Sequence, residues 1–128
     1  MGKTAKDFVS GAKARVKTVQ ASEIVARAKD PGVVFVDVRD EPELRETGKV
    51  AGAVHASRGM LEFHLDASTP YHLPVLRSGK EIVFYCKSGG RSALAAERAM
   101  EMGIENVATL EGGLPAWRDA GGPIEPHG

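Results

Sequence analysis

The chain's one cysteine, Cys86, stands at the head of Lys87-Ser88-Gly89-Gly90-Arg91-Ser92. A thiol reacts as its thiolate, so the question is what favours negative charge at this sulfur. Glycines permit positive φ, which lets successive backbone N–H groups of the loop converge on one point. A helix N-terminus after the loop, together with Lys87 and Arg91, favours an anion at the same place. The chemistry predicted is a thiol of depressed pKa that attacks, and a cradle that holds an anionic adduct. The plainer alternative is a small buried cysteine ending a strand. Two glycines and two cations directly after the sulfur weigh against it.

The elements on either side can position such a loop. Glu81 to Tyr85 (EIVFY) is an apolar, β-rich run that stops at Cys86. Beyond it a helix is predicted from about Arg91 to about Met102, with Ser92, Ala95, Ala96, Ala99 and Gly103 on one side and Glu97, Arg98 and Glu101 opposite. Cys86 then lies at the carboxyl end of a strand, where open α/β sheets hold ligands. Val33 to Val38 reads as a second buried parallel strand. Shorter strands are predicted at Lys17 to Val19, Ala53 to His55 and Asn106 to Leu110. Helices are predicted at Ala21 to Lys29, with Ser22 near its start and Asp30-Pro31-Gly32 as its stop, at Glu41 to Glu46 and at Pro115 to Ala120. Ser57 to Gly79 fits neither pattern and is expected to be a long surface excursion. Strands alternating with helices predict an α/β fold with a mostly parallel sheet.

Composition narrows the function. The 128 residues fit one domain. Seventeen Lys and Arg balance seventeen Asp and Glu, which argues against wrapping a nucleic acid, since that needs a basic face. One cysteine cannot make an internal disulfide, a cysteine-rich zinc site or a dithiol pair. His64, His72 and His127 have no metal-ligand spacing, so neither a metal nor a cofactor is expected. No apolar run is long enough to span a bilayer, and the N-terminus lacks a signal-peptide core, so a cytoplasmic protein is expected. Residues 1–17 differ from the rest: Lys3, Lys6, Lys13, Arg15 and Lys17 stand against Asp7 alone. Ala5, Phe8, Val9, Ala12 and Val16 share one helical arc. This basic amphipathic extension is expected to pack on its own domain or on a second subunit in a homodimer. A membrane-surface role is disfavoured by its small, alanine-rich face.

Loop length separates two kinds of thiol chemistry. Cysteine phosphatases surround a tetrahedral phosphate with C-x5-R, whereas four residues separate Cys86 from Arg91. The tighter loop would crowd a phosphoryl group but could surround one extra sulfur atom. The segment CKSGGRS, with its preceding strand, closely resembles the active-site loop of the rhodanese (sulfurtransferase) family. FVDVRDEPELRETGKVAGAVHASRG (35–59) and EGGLPAWRDAGGPIEP (111–126) are similar to that family's N-terminal and closing motifs. The resemblance covers most of 18–126 and implies a rhodanese-like domain there, with a sheet of about five strands and helices on both faces.

It also implies roles. Cys86 becomes the sulfur acceptor, and Lys87, Ser88, Gly89, Gly90, Arg91 and Ser92 the loop that binds substrate and persulfide. Asp37 and Arg39 fall on the first motif, where structural roles are favoured; Arg39 is expected to pair with a carboxylate such as Glu43. His55 is expected to be packed or exposed rather than a base, Gly112-Gly113 to make a tight turn, and Trp117 to anchor the last helix. The implied cycle takes a sulfane sulfur from thiosulfate onto Cys86 and passes it to cyanide, a thiol or an acceptor protein. Two other readings compete with it: a binding or persulfide-relay module with little turnover, and a small phosphatase or arsenate reductase.

Overall fold

In the computed structural model, which describes residues 2–127, helices and strands alternate. Helix α1 (Ala5–Arg15) leads into β1 (Lys17–Val19), α2 (Ala21–Ile24), β2 (Val33–Asp37) and α3 (Glu41–Thr47). Then come β3 (Lys49–Val50), β4 (Val54–His55), α4 (Leu61–Leu65), β5 (Glu81–Tyr85), α5 (Gly90–Glu101), β6 (Val107–Leu110), α6 (Gly113–Asp119) and β7 (Ile124–Glu125). Five strands form a parallel sheet in the order β1-β6-β5-β2-β4. Register sets Asp37 opposite Tyr85 and Phe84 opposite Thr109, so the strands end together at one carboxyl edge. The α/β architecture, the five-stranded parallel sheet and the helices on both faces agree with the sequence reading.

Alternation along the strands builds two cores. Val34, Val36, Val38, Ile82, Phe84 and Cys86 face the alanines of α5 together with Leu61, Leu65 and Leu76. Val33, Phe35, Val83, Tyr85 and Leu110 face Ile24, Leu114 and Trp117 on the other side. Small side chains on α5 allow close approach to the sheet: Ser92, Ala93, Ala95, Ala96 and Ala99 are all buried. Trp117 is the anchor expected, fully buried with its ring 5.0 Å from that of Phe35. Its indole N–H donates to the Pro123 carbonyl at 2.9 Å, which satisfies the one polar atom it brings inside.

Several local expectations change. The helix expected over 21–29 is α2 followed by one 3-10 turn, Val25–Arg27, with Ser22 near its start as expected and Gln20 preceding it. In this tightened form Arg27 reaches Asp30 at 3.0 Å and Glu81 at 2.7 Å. Residues 57–79 run largely over the surface, as expected, but with local structure that the sequence reading did not give them. Two 3-10 turns and α4 carry Leu61, Leu65 and Leu76 into the first core, and all three are fully buried. Helix α6 starts at Gly113, two residues before the expected Pro115. β3 and β7, each two residues long, pair antiparallel and were not foreseen.

Helix α1 is closed at its start by a reciprocal cap: Asp7 N–H donates to the Thr4 hydroxyl at 3.1 Å, and Thr4 N–H to the Asp7 carboxylate at 2.9 Å. It packs on α5 of the same chain through the C-terminal half of its apolar stripe, while Ala5 and Phe8 stay exposed. Ala12 is fully buried, Val16 joins the first core, and Arg15 pairs with Glu97 at 3.0 Å. Among the described residues no helix is long and apolar enough to cross a membrane.

Candidate active site

Strand β5 delivers Cys86 to the carboxyl edge of the sheet, and the chain turns back into α5 within four residues. Gly89 precedes α5 with φ of +107°, a conformation that L side chains rarely adopt, which explains glycine there. Its N–H points inward and donates to the Cys86 sulfur at 3.1 Å. The Ser92 hydroxyl lies 3.5 Å from the same sulfur and 2.8 Å from the Thr109 hydroxyl. Cys86, Ser92 and Thr109 are each at most 1% exposed, whereas Lys87 and Ser88 are exposed.

Two influences oppose each other at the thiol. Burial pushes its pKa up. The Ser92 hydroxyl and the N–H groups of Ser92, Gly89 and Ser88 stabilise the thiolate and hold the pKa below the ordinary cysteine value. The expected thiolate cradle is therefore built chiefly from backbone dipoles and one hydroxyl.

The closing segment braces the loop from below. Leu114 N–H donates to the Cys86 carbonyl at 2.9 Å. Gly113, with φ of +61°, passes so close that a Cβ there would lie 2.2 Å from the Cys86 carbonyl oxygen. The Gly112-Gly113 turn is thus a contact with the nucleophile's own backbone. From the other side α1 covers the loop: a Cβ on Gly90 would meet Val9 at 3.6 Å, and one on Gly89 would lie 3.9 Å from the Lys13 ammonium.

Arg39 takes a different carboxylate from the one named above. Arg39 pairs with Asp37, not Glu43: its Nη2 is 2.7 Å from Oδ2, and its Nε 3.0 Å from Oδ1. It also donates to the Thr47 hydroxyl at 2.8 Å and the Gly48 carbonyl at 2.7 Å. The buried pair is therefore well satisfied and ties the end of β2 to the end of α3. The pairing follows from geometry, since residues two apart at a strand end lie on one side. Glu43 instead receives Arg91, with N–O distances of 2.7 and 2.9 Å. Arg91 lowers the Glu43 pKa to about 2, against the opposing effect of burial, and the Asp40 N–H adds to the lowering. His55 is half-buried with Nε2 2.7 Å from the Arg39 carbonyl oxygen, away from the sulfur's hydrogen bonds. A cleft of about 200 Å³ opens beside the loop, lined in part by Lys87, Glu43, Thr47, Leu114 and Arg118.

Residues 20–120 match the model of the Rhodanese-like domain. The chain belongs to the rhodanese-like domain family. A Sulfurtransferase of Allochromatium vinosum is 30% identical over 110 residues, spanning 85% of this chain and 94% of that protein. The Thiosulfate:glutathione sulfurtransferase of Saccharomyces cerevisiae is 32% identical over 98 residues, 73% of this chain and 70% of that one. A solved structure from Rhodopseudomonas palustris, described as a protein of unknown function and possible tyrosine phosphatase, is 43% identical. It covers 98% of this rhodanese-like chain and 96% of its own, with a TM-score of 0.92. Relatives named for sulfur transfer support an enzyme of the sulfurtransferase kind.

One site member, Thr109, escaped the sequence reading. It sits in an otherwise apolar strand, Val107-Ala108-Thr109-Leu110, on the side shared with Val107, which faces α5. A polar residue on the core face of a strand was the available signal.

Proposed function

We propose that this rhodanese-like domain is a sulfurtransferase that carries sulfane sulfur on Cys86. The Cys86 thiolate attacks the outer sulfur of a thiosulfate-like donor. A sulfur–sulfur bond forms, and sulfite leaves with the electron pair of the bond it breaks. The resulting persulfide puts its negative charge on the outer sulfur, where loop N–H groups stabilise it. Cyanide, a cellular thiol or an acceptor protein then attacks that outer sulfur, and the thiolate returns. No second cysteine can resolve the persulfide, so the acceptor must come from outside the chain.

The observation that supports this reading most is the size and filling of the loop. Four residues separate Cys86 from Arg91, and Cys86 is 1% exposed with Gly89 N–H already 3.1 Å from its sulfur. One more atom suits that space better than a tetrahedral phosphate. Lys87 and Arg118 beside the cleft favour an anionic donor. The thiosulfate and glutathione named for the Saccharomyces relative agree with the donor and with a thiol acceptor.

Steady-state kinetics test the proposal. Varying thiosulfate at several cyanide concentrations should give parallel double-reciprocal lines, the pattern of a covalent carrier. Hydrolysis of aryl phosphates without sulfur transfer would replace it with a phosphatase reading. A stable protein partner with negligible turnover would replace it with a binding module.

A further inference from the structure

Ser92 and Thr109 pose a question of proton counting. Each hydroxyl has one proton to donate and lone pairs to accept with. The Ser92 oxygen lies between the Cys86 sulfur at 3.5 Å and the Thr109 oxygen at 2.8 Å, and all three groups are buried. If Ser92 donates to Thr109, it has no proton left for the sulfur. If Thr109 donates to Ser92, the Ser92 proton is free to point at the sulfur.

We infer that Thr109 is a positioning residue whose hydroxyl directs the Ser92 proton onto the Cys86 thiolate. The inference rests on the reading of Cys86 as the reacting thiolate. While the sulfur is protonated, its S–H donates to Ser92, and Ser92 donates to Thr109. When the thiol proton leaves to solvent, both hydroxyls rotate: Thr109 donates to Ser92, and Ser92 donates to the sulfur. No heavy atom moves, and no bond other than S–H breaks. The charge is met inside a region where an unanswered anion would be costly. Strand β6 holds Thr109 rigidly, since Phe84 of β5 and Thr18 of β1 flank it in register.

The test uses the single cysteine as its own reporter. Iodoacetamide alkylation of Cys86 is followed against pH in the full chain and in Thr109→Val, Thr109→Ser, Ser92→Ala and the Ser92→Ala/Thr109→Val double variant. The surrounding charges are the same in all of them: Lys87 on the loop, Arg91 with Glu43 of α3, Lys13 of α1 with Glu111, and Asp37 with Arg39. Ser92→Ala should raise the midpoint of the profile by about one pH unit, the size expected from one hydrogen bond to an anion. Thr109→Val, which leaves that bond in place but removes the donor that polarises it, should raise it by a smaller part, about 0.3 unit. Thr109→Ser should restore it. In the Ser92→Ala background, Thr109→Val should add no further shift. An unmoved midpoint in a folded Thr109→Val protein would overturn the inference, as would the same shift in both backgrounds. If the valine variant does not fold, Thr109→Ala makes the same measurement. Persulfide formation followed separately distinguishes failure of this relay from failure of the sulfurtransferase reading.

Discussion

Arg91 closes on Glu43 with both ends of its guanidinium, Nη1 at 2.7 Å from Oε1 and Nη2 at 2.9 Å from Oε2. The cation five residues past the nucleophile therefore ties the start of α5 to α3. The charge on the sulfur is met chiefly by Ser92 and by the N–H groups of Ser92, Gly89 and Ser88, against burial, and Arg91 adds a coulombic attraction to it. Arg91 braces the loop and adds to the field at the sulfur, and the donors inside the loop contribute more.

Glu43→Gln separates these two tasks. Persulfide formation should slow several-fold as the loop loosens, while the pH midpoint of Cys86 alkylation should not rise and should fall slightly, since Arg91 loses its counter-charge but keeps its attraction to the sulfur. Because the pair is about one-third exposed, its loss should cost only about 0.5–1 kcal/mol of stability. The sign with pH is fixed by the Glu43 carboxyl, lowered in the folded state from 4.5 to about 2. Its contribution is fully present above pH 4.5 and is lost as pH falls through 2. Urea midpoints of the two proteins should differ at pH 6 and converge at pH 2.

Gly113→Ala should be severe. Its φ of +61° strains an L residue, and the new Cβ would strike the Cys86 carbonyl oxygen. A loss of at least about 2 kcal/mol is expected in urea unfolding. Persulfide formation should fall even in whatever fraction remains folded, since the clash lies directly beneath the nucleophile.

How much of this was legible beforehand depended on the range of each signal. The strand-Cys86-loop-helix unit could be read because its cues are local: an apolar run, two glycines, then alanines at helical spacing. Lys17–Val19 and Glu81–Tyr85 emerged at their expected bounds for the same reason. The Arg91–Glu43 pair joins residues 48 apart, and no local rule selects Glu43 over the other carboxylates. Leu61, Leu65 and Leu76 were hidden because short 3-10 turns with Pro70 and Pro74 interrupt any steady period. β3 and β7 are too short for alternation to register. Thr109 was visible only as a polar residue in a core strand, and its partner appears once β6 faces α5.

Lys87 is exposed at the mouth of the loop and should act on the donor's charge. Lys87→Ala is expected to lower kcat/KM for thiosulfate about 3- to 10-fold, with a smaller effect on a neutral sulfur donor. Raising the salt concentration should shrink the difference between the two proteins. Equal losses with both donors would make Lys87 a loop-shaping residue.

Helix α1 precedes the segment matched to the family, yet it runs close to the loop, where a Cβ on Gly90 would meet Val9. Ala12→Asp would force a carboxylate into the α1–α5 contact, where Ala12 is fully buried. A lower melting temperature and slower persulfide formation are expected together. Unchanged sulfur loading in a protein with α1 detached would remove the helix from the mechanism.

Intact mass after incubation with thiosulfate decides whether Cys86 carries sulfane sulfur. The protein should gain one sulfur atom, reversed by cyanide and absent from Cys86→Ser. A folded protein that gains no sulfur from thiosulfate or other sulfane donors, or that gains it equally in Cys86→Ser, would contradict that role of Cys86.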